Sequence, residues 1–76
     1  MNISISKHAY SRITERFPNG FKPLLTRLEI MILTEAYEPS RGGKFVAKTI
    51  INFERVRLVF AFLGENNVRL VTAYTK

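Results

Sequence analysis

Apolar residues recur every four positions at the start of the chain, where Ala9, Ile13 and Phe17 follow Ser6. This spacing predicts a helix over about residues 6–17 with Ser6 as its cap and Pro18-Asn19-Gly20 as its end. A second helix is predicted from Phe21 to about Glu35, with Pro23 in its first turn and Leu24, Leu28, Met31 and Ile32 at helical spacing. Leu25, Ile30 and Leu33 widen that stripe, so this helix is expected to pack on more than one side. The run Glu38-Pro39-Ser40-Arg41-Gly42-Gly43 then reads as a flexible loop.

From Lys44 onward the period falls to two, and β-branched and aromatic residues dominate. Strands are predicted at about 44–51, 55–63 and 67–75, joined by turns at Asn52-Phe53-Glu54 and Gly64-Glu65-Asn66-Asn67. In the middle strand Val56, Leu58, Phe60 and Phe62 share the expected core face, and Arg55, Arg57, Val59 and Ala61 share the other. In the last strand Val68, Leu70, Thr72 and Tyr74 alternate with Arg69, Val71, Ala73 and Thr75, and its sidedness is ambiguous at the end. The expected fold class is α+β: two N-terminal helices packed on one face of a small antiparallel β-sheet, a meander of three or four strands.

Composition narrows the chemistry. The chain has 76 residues, 46% of them apolar, and is expected to form a single domain over residues 1–76. With no cysteine, one histidine and no aspartate, it has no disulfide, no thiolate metal site and no Ser/His/Asp triad. No zinc set, EF-hand, paired-carboxylate site or nucleotide fingerprint is visible, so neither a metal nor a cofactor is expected. The N-terminus lacks the apolar stretch of a signal peptide, and the longest apolar run, Leu58 to Leu63, is too short to span a bilayer. The expectation is a soluble cytoplasmic protein with no membrane partner.

Charge is placed unevenly. Residues 1–38 carry five basic and four acidic side chains, and residues 39–76 carry seven basic and two acidic. A surplus concentrated in one half raises the local concentration of polyanions, which makes nucleic acid the leading partner class; solubility alone is the bland alternative.

Three groups of residues are candidates. His8, Arg12 and Arg16 are four apart and form one polar ridge beside the stripe of Ala9, Ile13 and Phe17. An imidazole there can accept a proton and guanidiniums can hold a phosphate, although a solvated helix face has the same pattern. Arg41 and Lys44 flank Gly42-Gly43, a loop that lets backbone approach a phosphate or is a plain connector. Lys48, Arg57 and Arg69 fall one in each predicted strand, and in suitable register make a basic patch with Lys76 beyond them. Phe45 and Tyr74 are aromatics of the kind that stack on bases, although Phe45 reads more readily as core. Thr72, Tyr74, Thr75 and Lys76 give the last strand a hydroxyl-rich end that suits a wet cleft or pairing across the sheet.

RNA carries its own nucleophile, so its cleavage needs a base, cations and a proton donor but no metal. The candidates suit that reaction: His8 as base or acid, Arg12 at the phosphate, and Thr72 or Tyr74 as hydrogen-bond donors.

The chain also resembles a known group. His8-Ala9 followed by Arg12 and Arg16 on an N-terminal helix, a second helix, a Gly-containing basic loop, and a final strand with Val71-Thr72-Ala73-Tyr74 look like the small RNase toxins of the barnase/EndoU/colicin/RelE superfamily. The outline covers most of the chain, and specific residues match at its two ends. The resemblance implies a metal-independent ribonuclease acting on tRNA or mRNA, often accompanied by a protein inhibitor that covers its basic cleft. On this chain it implies His8, Arg12, Thr72 and Tyr74 as catalytic residues, with Arg16, Arg41, Lys44, Lys48, Arg57, Arg69 and Lys76 binding RNA. The absence of a second histidine and of any aspartate departs from some members. The alternative function is a non-catalytic basic protein that binds nucleic acid or an acidic protein partner. Oligomeric state is left open.

Overall fold

The computed structural model describes residues 1–17, 22–51 and 53–75. The expected terminator Pro18-Asn19-Gly20, the start of the second helix at Phe21, the turn residue Asn52 and the terminal cation Lys76 lie outside the described residues.

The fold is α+β. It begins with a strand, β1 (Asn2–Ile5), followed by α1 (Lys7–Arg16), α2 (Lys22–Leu33), β2 (Glu38–Pro39), a 3-10 turn at Arg41–Gly43, and three longer strands, β3 (Phe45–Ile51), β4 (Glu54–Gly64) and β5 (Asn67–Thr75). The sheet order is β1-β5-β4-β3-β2. The meander β3-β4-β5 is antiparallel as expected, but the sheet has five strands and is mixed, because β1 pairs parallel to β5 through Ile3↔Val68 and Ile5↔Leu70. β1 has the alternation of a strand, yet it is four residues long and finds its partner about 65 positions away, a distance that local pattern does not reveal. Glu38-Pro39, expected as loop, pairs with Val46 and Phe45 at the sheet edge, where a residue without an N–H is tolerated.

α1 starts where the sequence places it. The Ala9 N–H donates to Ser6 Oγ at 3.0 Å, and Ala9, Ile13 and Phe17 are buried. α2 buries Leu24, Leu28 and Ile32, with Leu25 and Met31 partly covered. The expected packing on a second side is absent among the described residues: Ile30 and Leu33 are 47% and 70% exposed. α2 ends in a left-handed residue, Glu35 (φ 55°), with the Glu35 N–H donating to the Ile32 carbonyl and the Ala36 N–H to the Met31 carbonyl.

One hydrophobic cluster joins both helices to the sheet, taking Ala47 and Ile51 from β3, Val56, Leu58 and Phe60 from β4, and Val68, Leu70 and Ala73 from β5. α1 lies against β5 and α2 against β3. Phe45 packs at the rim of this core with Tyr37, Phe60 and Phe62, ring centroids 5.3–5.9 Å apart. Phe62, expected in the core, is 42% exposed at the edge of that group.

Alternation fails once in β5, with consequences for function. Val59 pairs with Thr72 and Phe60 with Leu70, so Val71 has no opposite number in β4. This bulge shifts the phase of the strand. Before it, Val68 and Leu70 face the core; after it, Ala73 and Thr75 take that side, and Thr72 and Tyr74 turn to the opposite, open face.

Candidate nucleic-acid interface

Register organises the open face into rows. Lys48 stands opposite Arg57 on β4, and Arg57 opposite Tyr74 on β5, so the three form one row across the three central strands. The neighbouring rows are Val46, Val59 and Thr72 on one side and Ile50 with Arg55 on the other. Adjacent strands lie about 4.8 Å apart, so Lys48 and Tyr74 are roughly 10 Å apart at the backbone. An open concavity at this end of the sheet is lined by Lys48, Ile50, Arg55 and Arg57 among others.

Few of these cations are neutralised. Lys48 Nζ lies 3.8 Å from Glu38 Oε2, an exposed pair that contributes little. Among the described residues, the side chains of Arg55, Arg57, Arg69 and Tyr74 have no hydrogen-bond or ion-pair partner. Arg57 is half-buried and its donors have no partner among the described residues, a state suited to an external anion.

Arg69 belongs to the same face but to a distant row. It pairs with Ala61, four residues along β4 from Arg57, or roughly 13 Å at strand spacing. Arg41 and Lys44 lie beyond that end, in the tight connection from β2 to β3 closed by the Ser40 N–H to the Lys44 carbonyl (2.8 Å). Gly42 and Gly43 have φ 66° and 73°, left-handed values that explain the pair of glycines. The sheet cations therefore form two groups at opposite ends, and the expected single patch of Lys48, Arg57 and Arg69 is spread along the face.

The α1 ridge approaches from the other side of β5. Three hydrogen bonds fix α1 along β5 from Leu70, the last residue that β1 pairs with, to Thr75. At its start, the Ser6 N–H donates to the Leu70 carbonyl (3.0 Å) and Ser6 Oγ to the Val71 carbonyl (2.8 Å). At its end, Arg16 Nη1 donates to Thr75 Oγ1 (3.2 Å). His8 and Arg12 lie on the ridge between these points, exposed and without a hydrogen-bond or ion-pair partner for their side chains among the described residues.

The four catalytic candidates thus flank one strand segment, residues 71–75, from two sides. His8 and Arg12 come with the helix that packs on the Ala73 side, and Thr72 and Tyr74 project from the open face. No hydrogen bond joins the two pairs among the described residues. Arg55 and Ile50 also belong to this surface, and the exposed Phe53 lies in the turn that joins their strands, although sequence pattern marks none of the three as a site. Arg55 shares its alternation with Arg57, and an aromatic inside the short turn Asn52-Phe53-Glu54 was the signal for Phe53.

Among the described residues no group of three His, Cys, Asp or Glu side chains is placed to hold a metal ion, and no helix is long and apolar enough to cross a membrane. Comparisons with protein-family models, curated proteins and solved structures return no match.

Proposed function

We propose that this protein is a cytoplasmic, metal-independent RNA endonuclease that grips the phosphodiester backbone of a tRNA or mRNA with the open face of its sheet. The observation that carries the reading is the register that sets Lys48, Arg57 and Tyr74 in one row, with Arg55 beside it and guanidinium donors left unused. Unpaired guanidiniums fork onto phosphate oxygens, and a phenol at the end of the row adds a donor. RNA that crosses this row must continue around the edge of β5, at the residues 71–75 that β1 leaves unpaired, to reach the ridge of His8, Arg12 and Arg16 on the Ala73 side.

Cleavage there needs no cofactor. His8 accepts the proton of a ribose 2′-OH, the 2′-oxygen forms a bond to phosphorus, and the bond from phosphorus to the 5′-oxygen breaks. The leaving 5′-oxygen takes a proton from Tyr74 or solvent, and the products are a 2′,3′-cyclic phosphate and a 5′-hydroxyl. Arg12 and a sheet cation hold the non-bridging oxygens, and Thr72 supplies a hydrogen bond. A protein inhibitor of such an enzyme would present an acidic surface to the same face.

A second reading keeps the binding and drops the chemistry. It is favoured by the bulge, which turns Thr72 and Tyr74 away from the side on which Arg16 meets Thr75.

Incubating wild-type and His8→Ala protein with total RNA in excess chelator, then mapping the ends, separates the two. Cyclic-phosphate ends from wild type alone support the nuclease. Intact RNA with both proteins, combined with salt-sensitive RNA binding, leaves the non-catalytic binder. No RNA binding at low salt removes the nuclease and leaves the second reading only with an acidic protein as its partner.

A further inference from the structure

The β3–β4 reversal carries a residue in a costly position. Ile51 pairs with Glu54, which leaves two residues for the turn, and the second of them, Phe53, has φ 67°. Two-residue hairpins of this kind favour Asn-Gly because glycine adopts the left-handed region without a steric penalty. Here the glycine position holds a phenylalanine whose ring is fully exposed, at 102% of its reference area. The residue is thus unfavourable for both backbone conformation and solvation, and among the described residues no ring contact offsets either.

Its surroundings indicate what it meets. Ile50, 61% exposed, stands opposite Arg55 on the open face, and the next row inward is Lys48, Arg57 and Tyr74. From the hairpin tip inward the surface therefore offers an aromatic ring, then Arg55, then Arg57, then a second aromatic. Single-stranded nucleic acid has the complementary sequence of groups, bases that stack and phosphates that pair with cations. A membrane surface fits less well, because the exposed apolar area at the tip is limited to Phe53 and Ile50.

We infer that Phe53 is a stacking platform for an unpaired base of single-stranded RNA, with Arg55 and Arg57 holding the adjoining phosphates. This rests on the proposal that the open face binds RNA, and adds that the RNA must present an unpaired base at the β3–β4 tip. The ring is fully exposed, so a base can reach its face.

The test uses the full chain as wild type, Phe53→Gly and Phe53→Trp, with a labelled single-stranded 2′-O-methyl RNA, which has no 2′-OH to react, and the matching duplex. Phe53→Gly should weaken single-strand binding roughly 5- to 150-fold, the range for losing one stacked base, and leave duplex binding unchanged. Its thermal midpoint should not fall, because glycine relieves the left-handed strain, so lost binding cannot be ascribed to unfolding. Phe53→Trp should keep or strengthen binding, and its indole fluorescence should be quenched by the single strand.

Single-strand affinity unchanged in a folded Phe53→Gly protein overturns the inference and leaves the sheet-face reading intact. Equal losses on single strand and duplex also overturn it, since stacking requires an unpaired base. Dependence on Phe53 for phosphatidylserine vesicles but not for RNA overturns it in favour of a membrane contact. A wild-type protein that binds no RNA at low salt removes the sheet-face reading and this one with it.

Discussion

Ser6 Oγ donates to the Val71 carbonyl at 2.8 Å, and Val71 is the residue that β5 carries in excess of β4. The same hydroxyl accepts from the Ala9 N–H, so one side chain caps α1 and satisfies the bulge. Without the bulge Tyr74 would share a face with Val68 and Leu70. With it, Tyr74 completes the row begun by Lys48 and Arg57. The position of the helix and the composition of the open face are set at one point.

Ser6→Ala should therefore cost more than an ordinary cap. Loss of the cap alone costs about 1 kcal/mol, and the Val71 carbonyl, part-buried, loses its side-chain donor as well. A total of about 1.5–3 kcal/mol is expected in urea or thermal unfolding. Arg16→Ala removes the exposed bond to Thr75 at the other end of α1 and should change stability by less than about 0.5 kcal/mol. A loss of only about 1 kcal/mol for Ser6→Ala would mean that Ser6 acts as a cap alone.

Strict alternation explains both what was legible and what was not. The helices, the Ser6 cap and the meander follow from periods of about 3.6 and two residues, and alternation assigns Arg57 to one face of its strand, whereas the place of Lys48 opposite it depends on register. β1 is not legible in the sequence because Asn2–Ile5 is short and its pairing with Asn67–Leu70 is non-local. Thr72 and Tyr74 could not be assigned to a face because a bulge inverts alternation without changing composition. The exposed Ile30 and Leu33 mark a further limit, since an apolar stripe shows what a helix can bury but not what it meets.

Removing Arg57 should weaken RNA binding at every sequence, and salt dependence gives the count. Each neutralised phosphate contributes about 0.7 to the slope of log K against log salt for a single strand. Arg57→Ala should lower that slope by roughly 0.7, and Arg55→Ala/Arg57→Ala by about 1.4, with thermal midpoints close to wild type. Glu38→Gln should act in the opposite direction, because it releases Lys48 and removes a carboxylate from the face. Filter binding or fluorescence anisotropy at several salt concentrations measures all three. An unchanged slope in the double variant would place the RNA on some other surface.

Stability can be raised at the end of α2 without touching the open face. Glu35 holds the left-handed position that closes the helix, where glycine is the usual residue, and its side chain is exposed. Glycine removes the clash between Cβ and carbonyl oxygen that a left-handed residue incurs, and loses part of that gain through its greater freedom in the unfolded chain. Glu35→Gly should stabilise the fold by about 0.5–1 kcal/mol, and the thermal midpoint should rise by a few degrees. The two hydrogen bonds of the closing turn, from Glu35 N–H to Ile32 and from Ala36 N–H to Met31, depend on backbone alone and should persist. A drop in stability would mean that the Glu35 side chain supports the turn in some way beyond this backbone geometry. RNA affinity should change little, because the substitution leaves the cations of the open face in place.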